Sequence, residues 1–397
     1  MMKVILLGMG GGTLATLTTQ EQEALAASQA IIGAPRLLED LPPGCEAQRF
    51  PAVTSKDILA RLQSLDCVQA AVVFSGDSGF YSGARLLLPV LREHGYETEV
   101  LPGLSSAQLL SARQGRPWQE WRLVSAHGVD CDAVAEVMQG RPVFFLTGGS
   151  LTPANLCAQL AEAGLDALPV TVGENLFRPD EAVTQGTAGE LAERTFVPLS
   201  VLLAESAPPM PRRVPGWPDD CFLRGKTPMT KQLVRAAVLA KLAVGPDDVC
   251  WDVGAGTGSV SIELAAQARR VYAVERDGEA CSLIRQNREK FHAWNLTLVE
   301  GEAPDALKAL PAPDAVFIGG SGGNMAAIVS EALARNPKVR LCISAIALET
   351  LHAAVDALAS HSIEAELTQL AVSESKMTGG LHLLMANNPI FLITRRQ

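Results

Sequence analysis

The chain has 397 residues, of which 48% are hydrophobic and 19% are charged, and this predicts an α/β protein of two or three domains. Its net charge is −10, and residues 1–210 hold 13 Lys and Arg against 23 Asp and Glu, while residues 211–397 hold 20 of each. Neither half has the basic excess of a nucleic-acid binder, and no apolar run is long enough to span a membrane. The eight cysteines form no Cys-x-x-Cys pair, and no signal-peptide cleavage region is present, so we expect a cytoplasmic, metal-free protein.

Three glycine loops follow predicted strands in the N-terminal half. The strands are Val4–Leu7, Val68–Phe74 and Glu97–Leu101, and each runs directly into its loop. Ligands of α/β sheets bind outside the carboxyl ends of the strands, so these loops are predicted to form a binding site. The candidate residues in the loops are Gly8, Gly10, Gly76, Asp77, Ser105 and Ser106.

Several of these residues also have a purely structural interpretation. Asp77 could cap a turn, and Ser105 or Ser106 could be the N-cap of a helix predicted over Ala107–Arg113. His127 ends a predicted strand and is better explained as a hydrogen-bonded structural histidine than as a catalytic base. The sequence leaves these alternatives open.

The N-terminal half resembles the tetrapyrrole methylase family, and in part its precorrin-6Y branch. The stretches that carry the resemblance are Gly8-x-Gly10, Ser75–Asp77, Pro102–Ser106, Thr147–Pro153 and Gly173–Asn175. This resemblance implies a domain over residues 1–205 with two α/β subdomains, at about 1–115 and 116–205. It also implies that S-adenosylmethionine (SAM) binds in the cleft between the subdomains.

A proline-rich linker and a cationic segment follow. Residues 206–216 contain four prolines, which favour a semi-extended linker before a second domain over residues 217–397. Leu233–Leu242 has the period of an amphipathic helix, which Thr230 could cap. Arg224, Lys226 and Lys231 could be solvated charges, or together with Thr230 they could line a cleft and bind substrate carboxylates.

The most informative stretch is a strand-turn-helix pattern over Val249–Ala265. Its turn has the spacing Asp-x-Gly-x-Gly-x-Gly, formed by Asp252, Gly254, Gly256 and Gly258. A dinucleotide fingerprint would need Gly or Ala at position 259, where this chain has Ser. The glycines alone fit either a cofactor loop or a tight structural turn.

The next predicted strand, Arg270–Asp277, favours the cofactor interpretation. It contains Glu275, which lies 21 positions after Gly254. An acid at this distance accepts hydrogen bonds from the ribose hydroxyls of a nucleoside ligand. The two features together therefore predict a nucleoside cofactor.

Further strands and a closing hairpin complete the second domain. Leu296–Glu300 is the third predicted strand and Asp314–Ile318 is the fourth. The fourth strand is followed by a glycine-rich stretch with Gly319 and Ser321, where four glycines around one serine favour a ligand over simple backbone packing. The last predicted elements are a fifth strand Val339–Ala345, a helix Glu349–Ser360 and an antiparallel hairpin of Ala365–Val372, Leu381–Asn387 and Ile390–Thr394. The loop Ser373–Gly380, with Lys376, could close over a cleft or be inert.

The second domain has its own family resemblance. The glycine turn resembles that of Rossmann-like SAM methyltransferases, and Gly225–Gln232 and Phe317–Gly323 look like the decarboxylating precorrin methyltransferase domain. By this resemblance Glu302 and Ala303 flank the adenine. The fold class expected is α/β, with a tetrapyrrole methylase fold followed by a Rossmann-like methyltransferase fold and a closing antiparallel hairpin.

Together the two resemblances cover nearly the whole chain and imply a bifunctional enzyme of cobalamin biosynthesis. They imply one SAM per domain and precorrin-6Y, a polycarboxylate tetrapyrrole, as substrate. The first domain would methylate C5, and the second would methylate C15 and remove the ring C acetate carboxylate to give precorrin-8. They also suggest self-association. A methyltransferase of another tetrapyrrole or RNA, and a non-catalytic SAM-binding protein, are the alternatives.

Overall fold

The chain folds into two compact units, Met1–Ala207 and Pro208–Gln397. The structure is a computed structural model that describes residues 2–42, 45–210 and 215–395. Residues 211–214 of the predicted linker lie outside this range.

The N-terminal unit begins with a parallel sheet and its helices. Its elements are β1 (Lys3–Gly8), α1 (Thr19–Ala27), β2 (Ala30–Gly33), α2 (Pro35–Glu39), β3 (Gln48–Pro51), α3 (Ser55–Gln63), β4 (Gln69–Phe74), α4 (Ala84–Glu93), β5 (Glu97–Leu101) and α5 (Ser106–Gln114). The strand order is β3-β2-β4-β1-β5, with every pair parallel. The central strands β1 and β4 are nearly continuous buried apolar runs, as expected where helices cover both faces.

A mixed sheet forms the rest of the N-terminal unit. Its elements are β6 (Arg122–His127), α6 (Ala133–Val137), β7 (Val143–Gly148), α7 (Pro153–Glu162), β8 (Pro169–Glu174), β9 (Ala182–Thr187), α8 (Ala188–Ala192) and β10 (Ser200–Ala204). The strand order is β6-β7-β10-β8-β9, and β10 runs antiparallel to both of its neighbours.

The C-terminal unit contains a seven-stranded sheet. Its elements are α9 (Gln232–Leu242), β11 (Val249–Val253), α10 (Ser259–Ala265), β12 (Arg270–Glu275), α11 (Gly278–Lys290), β13 (Leu296–Glu300), β14 (Ala315–Ile318), α12 (Met325–Arg335), β15 (Arg340–Ala345), α13 (Leu348–Ala359), β16 (Ala365–Leu370), β17 (Ser373–Thr378), β18 (Leu381–Ala386) and β19 (Ile390–Arg395). The order is β13-β12-β11-β14-β15-β19-β16. The first five strands are parallel, and β19 is antiparallel to β15 and β16.

This strand order creates a crevice at the middle of the sheet. The chain proceeds from β11 to β12 on one side and returns to β14 on the other side. The loops after β11 and β14 therefore diverge at a topological switch point, where open α/β sheets bind ligands. The α/β fold class is confirmed, including both folds and the antiparallel hairpin.

Details of the closing strands differ from the prediction. β16 pairs with β19, while β18 pairs with β17 in a separate two-stranded sheet. The predicted loop Ser373–Gly380 is therefore mostly strand, and Gly379 and Gly380 with positive φ form its turn. The side chains on β17 and β18 are exposed, whereas β19 contributes buried residues to the large sheet.

Two helix ends also differ. The N-cap of α9 is Lys231, which makes no side-chain capping bond, so the prediction that Thr230 caps this helix was wrong. Instead the Thr230 carbonyl oxygen accepts a hydrogen bond from Arg235. The sequence also predicts a helix over Gln20–Ala30, but helix α1 ends at Ala27 because the chain at Ala30 already pairs in β2.

Candidate functional site

The C-terminal unit has a cavity of about 820 Å³ at the carboxyl ends of its central strands. Its lining includes Gly254 and Gly256 after β11, Glu275 at the end of β12 and Gly319 after β14. The cavity lies at the switch point of the sheet and has the size of a small-molecule site. The structure thus brings together residues that are distant in the sequence, since Gly254 and Gly319 are 65 positions apart.

The glycine turn is shaped by close backbone approach. Gly254 has φ 69°, and a Cβ atom there would lie 2.5 Å from the Gly320 carbonyl oxygen. Gly256 has φ 58°, and its Cβ would lie 3.2 Å from the Pro228 carbonyl oxygen. Side chains at these positions would push apart the loops that form the cavity wall, so the turn requires glycine.

Glu275 braces this turn from the neighbouring strand. Its Oε2 accepts a hydrogen bond from the Gly256 amide at 2.9 Å, and its Oε1 accepts bonds from the Arg276 and Asp277 amides at 2.8 and 3.0 Å. A carboxylate has about four lone-pair positions, so Glu275 keeps capacity for a ligand hydroxyl. The carboxylate therefore holds the loop and also lines the cavity.

Asp252 and Gly258 do not line the cavity, although they belong to the same motif. Asp252 is fully buried, and its Oδ2 accepts a hydrogen bond from the Ser261 hydroxyl on α10. Burial raises the pKa of Asp252 to about 7, with a smaller contribution from the charge of Glu275. Gly258 has φ 76° at the N-cap of α10. Both residues therefore stabilise the conformation of the turn without lining the cavity.

The buried Asp252 carboxyl is expected to make the stability of this unit pH-dependent. The folded chain holds a proton up to about pH 7, and the unfolded chain releases it near pH 4. Stability should therefore fall as pH rises from about 4 to 7, by at most about 1.4 kcal/mol per pH unit from this group, and then level off. Asp252→Asn should remove this slope. Hydrogen exchange of β11 amides between pH 5 and 8 measures it, and an equal slope in both proteins would contradict the assignment.

Thr257 supplies a polar group suited to a ligand in this cavity. It lines the wall and is 1% exposed, and its hydroxyl has no hydrogen-bond partner within residues 2–42, 45–210 and 215–395. Buried hydroxyls are normally hydrogen-bonded. Gly254, Gly256, Glu275 and the Thr257 hydroxyl together fit a nucleoside cofactor such as SAM.

Glu302 and Ala303 lie in the cavity wall together with a cation that the sequence analysis missed. Glu302 Oε1 accepts a hydrogen bond from Arg276 Nη1 at 2.8 Å, and the Ala303 carbonyl accepts one from Asn324 at 3.1 Å. Arg276 also lines the cavity. Its position directly after Glu275 is the signal that could have pointed to it.

The predicted substrate-binding residues divide into two groups. Thr230, Lys231 and Ser321 line the cavity, whereas Arg224, Lys226 and Lys376 do not. Lys231 Nζ lies 3.5 Å from Asp219 Oδ2, and 49% of its side chain is exposed. Asn387 and Asn388, between β18 and β19, and Ile390 at the start of β19 line the cavity, whereas the predicted loop around Lys376 does not.

A buried ion pair fixes the segment that carries Thr230 and Lys231. The side chains of Arg235 and Glu263 are both 0% exposed, and Arg235 Nε donates to Glu263 Oε1 at 2.8 Å. Arg235 also pairs with Asp219 at 2.8 Å and donates to the Trp217 carbonyl oxygen. These bonds connect residues 217–230 to helices α9 and α10, so they position one wall of the cavity.

The N-terminal unit has its own cavity, of about 470 Å³. Gly10, Gly76, Asp77 and Ser106 line it. Gly10 and Gly76 exchange backbone hydrogen bonds at 3.0 and 3.2 Å, which joins two of the predicted loops. Asp77 Oδ1 accepts a hydrogen bond from the backbone amide of the third loop, at Gly103, at 3.1 Å. The three strand-end loops therefore form one site.

Gly8 and Ser105 support this site without lining it. A Cβ on Gly8 would lie 2.6 Å from the Gly76 carbonyl oxygen, so glycine permits the loops to meet. Ser105 is the N-cap of α5 and forms a capping box with Gln108, which is the structural alternative considered for it.

His127 lies in the wall of the same cavity. Its Nδ1 is 3.3 Å from the Thr147 carbonyl oxygen. A carbonyl oxygen can only accept, so Nδ1 is the donor in this bond. This agrees with a hydrogen-bonded histidine at a strand end.

The fold and these two cavities define a two-unit α/β protein with a cavity at strand ends in each unit. The family model described as tetrapyrrole (corrin/porphyrin) methylases matches residues 3–192, and the model described as precorrin methyltransferase domain matches residues 220–396. A Sinorhizobium sp relative named precorrin-6Y C(5,15)-methyltransferase [decarboxylating] is 33% identical over 328 residues, which cover 80% of this chain and 78% of the relative. The chain belongs to this precorrin methyltransferase family.

Two further proteins each match about half of the chain. A Pyrobaculum calidifontis relative named probable cobalt-precorrin-6B C(15)-methyltransferase (decarboxylating) is 41% identical over 189 residues, 46% of this chain and 97% of the relative. A solved structure titled precorrin-6y C5,15-methyltransferase from Geobacter metallireducens GS-15 is 39% identical and covers 47% of this chain and 100% of that chain, with a TM-score of 0.45.

No helix in the described part of the chain is long and apolar enough to cross a membrane. Within the same residues, no group of three or more His, Cys, Asp or Glu side chains is placed to hold a metal ion.

Proposed function

We propose that this chain is a bifunctional, decarboxylating SAM-dependent methyltransferase that converts precorrin-6Y to precorrin-8. The N-terminal unit methylates C5, and the C-terminal unit methylates C15 and removes the ring C acetate carboxylate. The observation that carries this proposal is the Sinorhizobium relative, whose match extends over 80% of the chain and so includes parts of both units.

Each unit is proposed to bind one SAM molecule. In the C-terminal unit Gly254, Gly256, Glu275, Glu302 and Ala303 hold it, with Gly319 at the switch point and Asp252 and Gly258 as supports. In the N-terminal unit Gly10, Gly76, Asp77 and Ser106 hold it, with Gly8 and Ser105 as supports. The two cavities, of about 820 and 470 Å³, support this stoichiometry because each is large enough for a small-molecule ligand.

SAM supplies an activated methyl group bound to a sulfonium. The electron-rich meso carbons of a reduced tetrapyrrole are nucleophiles, so the chain has to orient its substrate more than it has to activate it. Holding two reactants in line contributes several kcal/mol to catalysis. This agrees with cavities that are built mainly from backbone loops. Among the described residues that line the two cavities, His127 is the single histidine.

The carboxylates of the substrate require cations at the cavity. In the C-terminal unit Lys231 and Arg276 line the wall and are the candidates, with Thr230 and Ser321 as neutral hydrogen-bonding partners. The electrons released by decarboxylation pass into the conjugated ring system, so the protein needs no electron acceptor of its own.

Lys231→Ala is expected to raise the KM for precorrin-6Y about fivefold while the SAM Kd stays unchanged, because one half-exposed cation contributes about 1 kcal/mol. Lys226→Ala is the matched control, since Lys226 lies outside the cavity lining. Steady-state decarboxylation kinetics measure both variants. If Lys231→Ala had the KM of the wild type, Lys231 would have no part in substrate binding.

The proposed function is tested with the full chain, precorrin-6Y and methyl-labelled SAM. The expected product carries two labelled methyl groups and lacks one carboxylate, as determined by mass spectrometry. SAM binding without methyl transfer to any tetrapyrrole would favour the non-catalytic alternative. A parallel reaction with cobalt-precorrin-6B is informative because the Pyrobaculum relative is named for that substrate.

Self-association is also proposed, and light scattering of the full chain tests it. The exposed apolar side chains of Leu381 and Leu384, with 67% and 76% exposure, are consistent with such contacts. A cytoplasmic location and the lack of nucleic-acid binding remain predictions from the sequence.

A further inference from the structure

The cavity of the N-terminal unit carries a cation that the sequence analysis did not single out. Arg36, in the first turn of α2, is the single Lys or Arg among the described residues that line this cavity. Its Nη2 donates a hydrogen bond to Ser75 Oγ at 3.2 Å, so the guanidinium lies at the glycine loop after β4. The side chain is 43% exposed and is therefore accessible to a ligand.

Arg36 shares its nearest carboxylate with a second arginine. Arg178 engages Asp40 with both terminal nitrogens, through the Nη2–Oδ2 pair and through Nη1–Oδ1 at 3.4 Å. Arg36 Nη1 lies 3.9 Å from Asp40 Oδ2, which is beyond hydrogen-bond distance. Two guanidinium groups thus face one carboxylate, and Arg178 makes the shorter contacts to it.

The electrostatics of Arg36 agree with this arrangement. Burial lowers the pKa of Arg36, and the positive charge of Arg178 lowers it further, while Asp40 acts in the opposite direction. Arg178 is held in place because only 16% of its side chain is exposed and its guanidinium packs closely against the backbone at Gly12, where a Cβ atom would lie 2.3 Å from Nη2. The positive charge at Arg36 is therefore only partly compensated by the protein.

The other charged side chain in the cavity wall does not neutralise Arg36. Asp77 is bound to the Gly103 amide at 3.1 Å, and no ion pair joins Asp77 to Arg36 among the described residues. Arg36 consequently offers a planar pair of donors to an anion that enters the cavity. Arginine binds carboxylates particularly well because its donors match the two carboxylate oxygens.

We propose that Arg36, positioned by Ser75 and the Asp40–Arg178 pair, binds a carboxylate of the ligand in the N-terminal unit. This inference rests on the proposed function, which provides two sources of that group. One source is the rim of the polycarboxylate tetrapyrrole, and the other is the amino-acid part of SAM. The site is the counterpart, in the first unit, of the cations Lys231 and Arg276 in the second unit.

The test compares Arg36→Met with Arg36→Lys and with a control, Arg122→Met. Arg122 is similarly exposed at 48% and pairs with Glu136, outside the cavity lining. Loss of a charge-assisted pair at Arg36 should weaken binding of its ligand about tenfold. Arg36→Lys should restore part of this loss because lysine keeps the charge but not the planar donors. Arg122→Met should behave like the wild type.

Two readouts on the full chain identify the ligand. A raised KM for precorrin-6Y in C5 methylation, with unchanged SAM affinity, assigns the carboxylate to the tetrapyrrole. A raised SAM Kd at one of the sites in calorimetry assigns it to the cofactor. If Arg36→Met stays within twofold of the wild type in both measurements, the inference is wrong. A wild-type protein that binds SAM but methylates no tetrapyrrole would instead overturn the proposed function.

Discussion

Gly254→Ala is expected to reduce carbon dioxide release from precorrin-6Y about 100-fold, because overpacking and a strained backbone each cost about 1–3 kcal/mol. The new Cβ would lie 2.5 Å from the Gly320 carbonyl oxygen, between the loops that follow β11 and β14. The residue would also have to keep φ near 69°. Both effects push the cofactor loop out of the shape that the cavity requires.

A matched control separates the two effects. Gly379 has φ 58° in the turn between β17 and β18, and no atom lies within 4 Å of a Cβ placed there. Gly379→Ala therefore introduces the backbone strain without the collision and without altering the cavity wall. We expect it to keep nearly full activity. The role of the turn would be refuted if Gly254→Ala released carbon dioxide within a few-fold of the wild-type rate.

Arg235→Met is expected to destabilise the C-terminal unit by about 3–5 kcal/mol, because removing one partner of a buried ion pair leaves the other charge unpaired. The carboxylate of Glu263 would keep the Gly216 and Trp217 amides, at 2.6 and 3.0 Å, but would lose its cation. Asp219 would lose its closest contact as well. Denaturant unfolding with hydrogen exchange of α10 amides measures the change.

Two comparison variants make this prediction specific. Arg285→Met removes an ion pair with Glu300 whose side chains are 53% and 58% exposed, and it should change stability by less than about 1 kcal/mol. Adding Glu263→Gln to Arg235→Met should recover part of the loss because it removes the unpaired buried charge, while the single amide oxygen keeps one of the two backbone hydrogen bonds. Equal effects of Arg235→Met and Arg285→Met would show that the buried network contributes no more than a surface pair.

The sequence alone was sufficient to locate the strand-end loops. Glycine spacing and buried apolar runs are local signals, and they placed Gly254, Glu275, Gly76 and Asp77 at strand ends, where the structure brings them to the cavities. The same signals could not separate the residues that line a cavity from those that support it. Asp252 shows the limit, because its burial depends on helix α10 packing over it.

Contacts between distant residues were not predictable in this way. Arg36 and Arg178 share Asp40 although 142 positions separate the two arginines in the sequence, and no local pattern records this pairing. The pairing of β19 with β15 and β16 is likewise a contact between separate parts of the sequence, since β15 ends at Ala345 and β19 begins at Ile390. Among the predicted cations, Lys231 lines the cavity and Arg224 does not, which depends on the turn before α9.

The most direct test of the account is the number of SAM molecules that the full chain binds. Equilibrium dialysis with labelled SAM, at concentrations well above both dissociation constants, should saturate at about two molecules per chain. Gly254→Ala should lower this number to about one, and Gly8→Ala should do the same through the other unit, because its Cβ would lie 2.6 Å from the Gly76 carbonyl oxygen. Saturation of the wild type at one molecule per chain would contradict the proposal of a cofactor site in each unit.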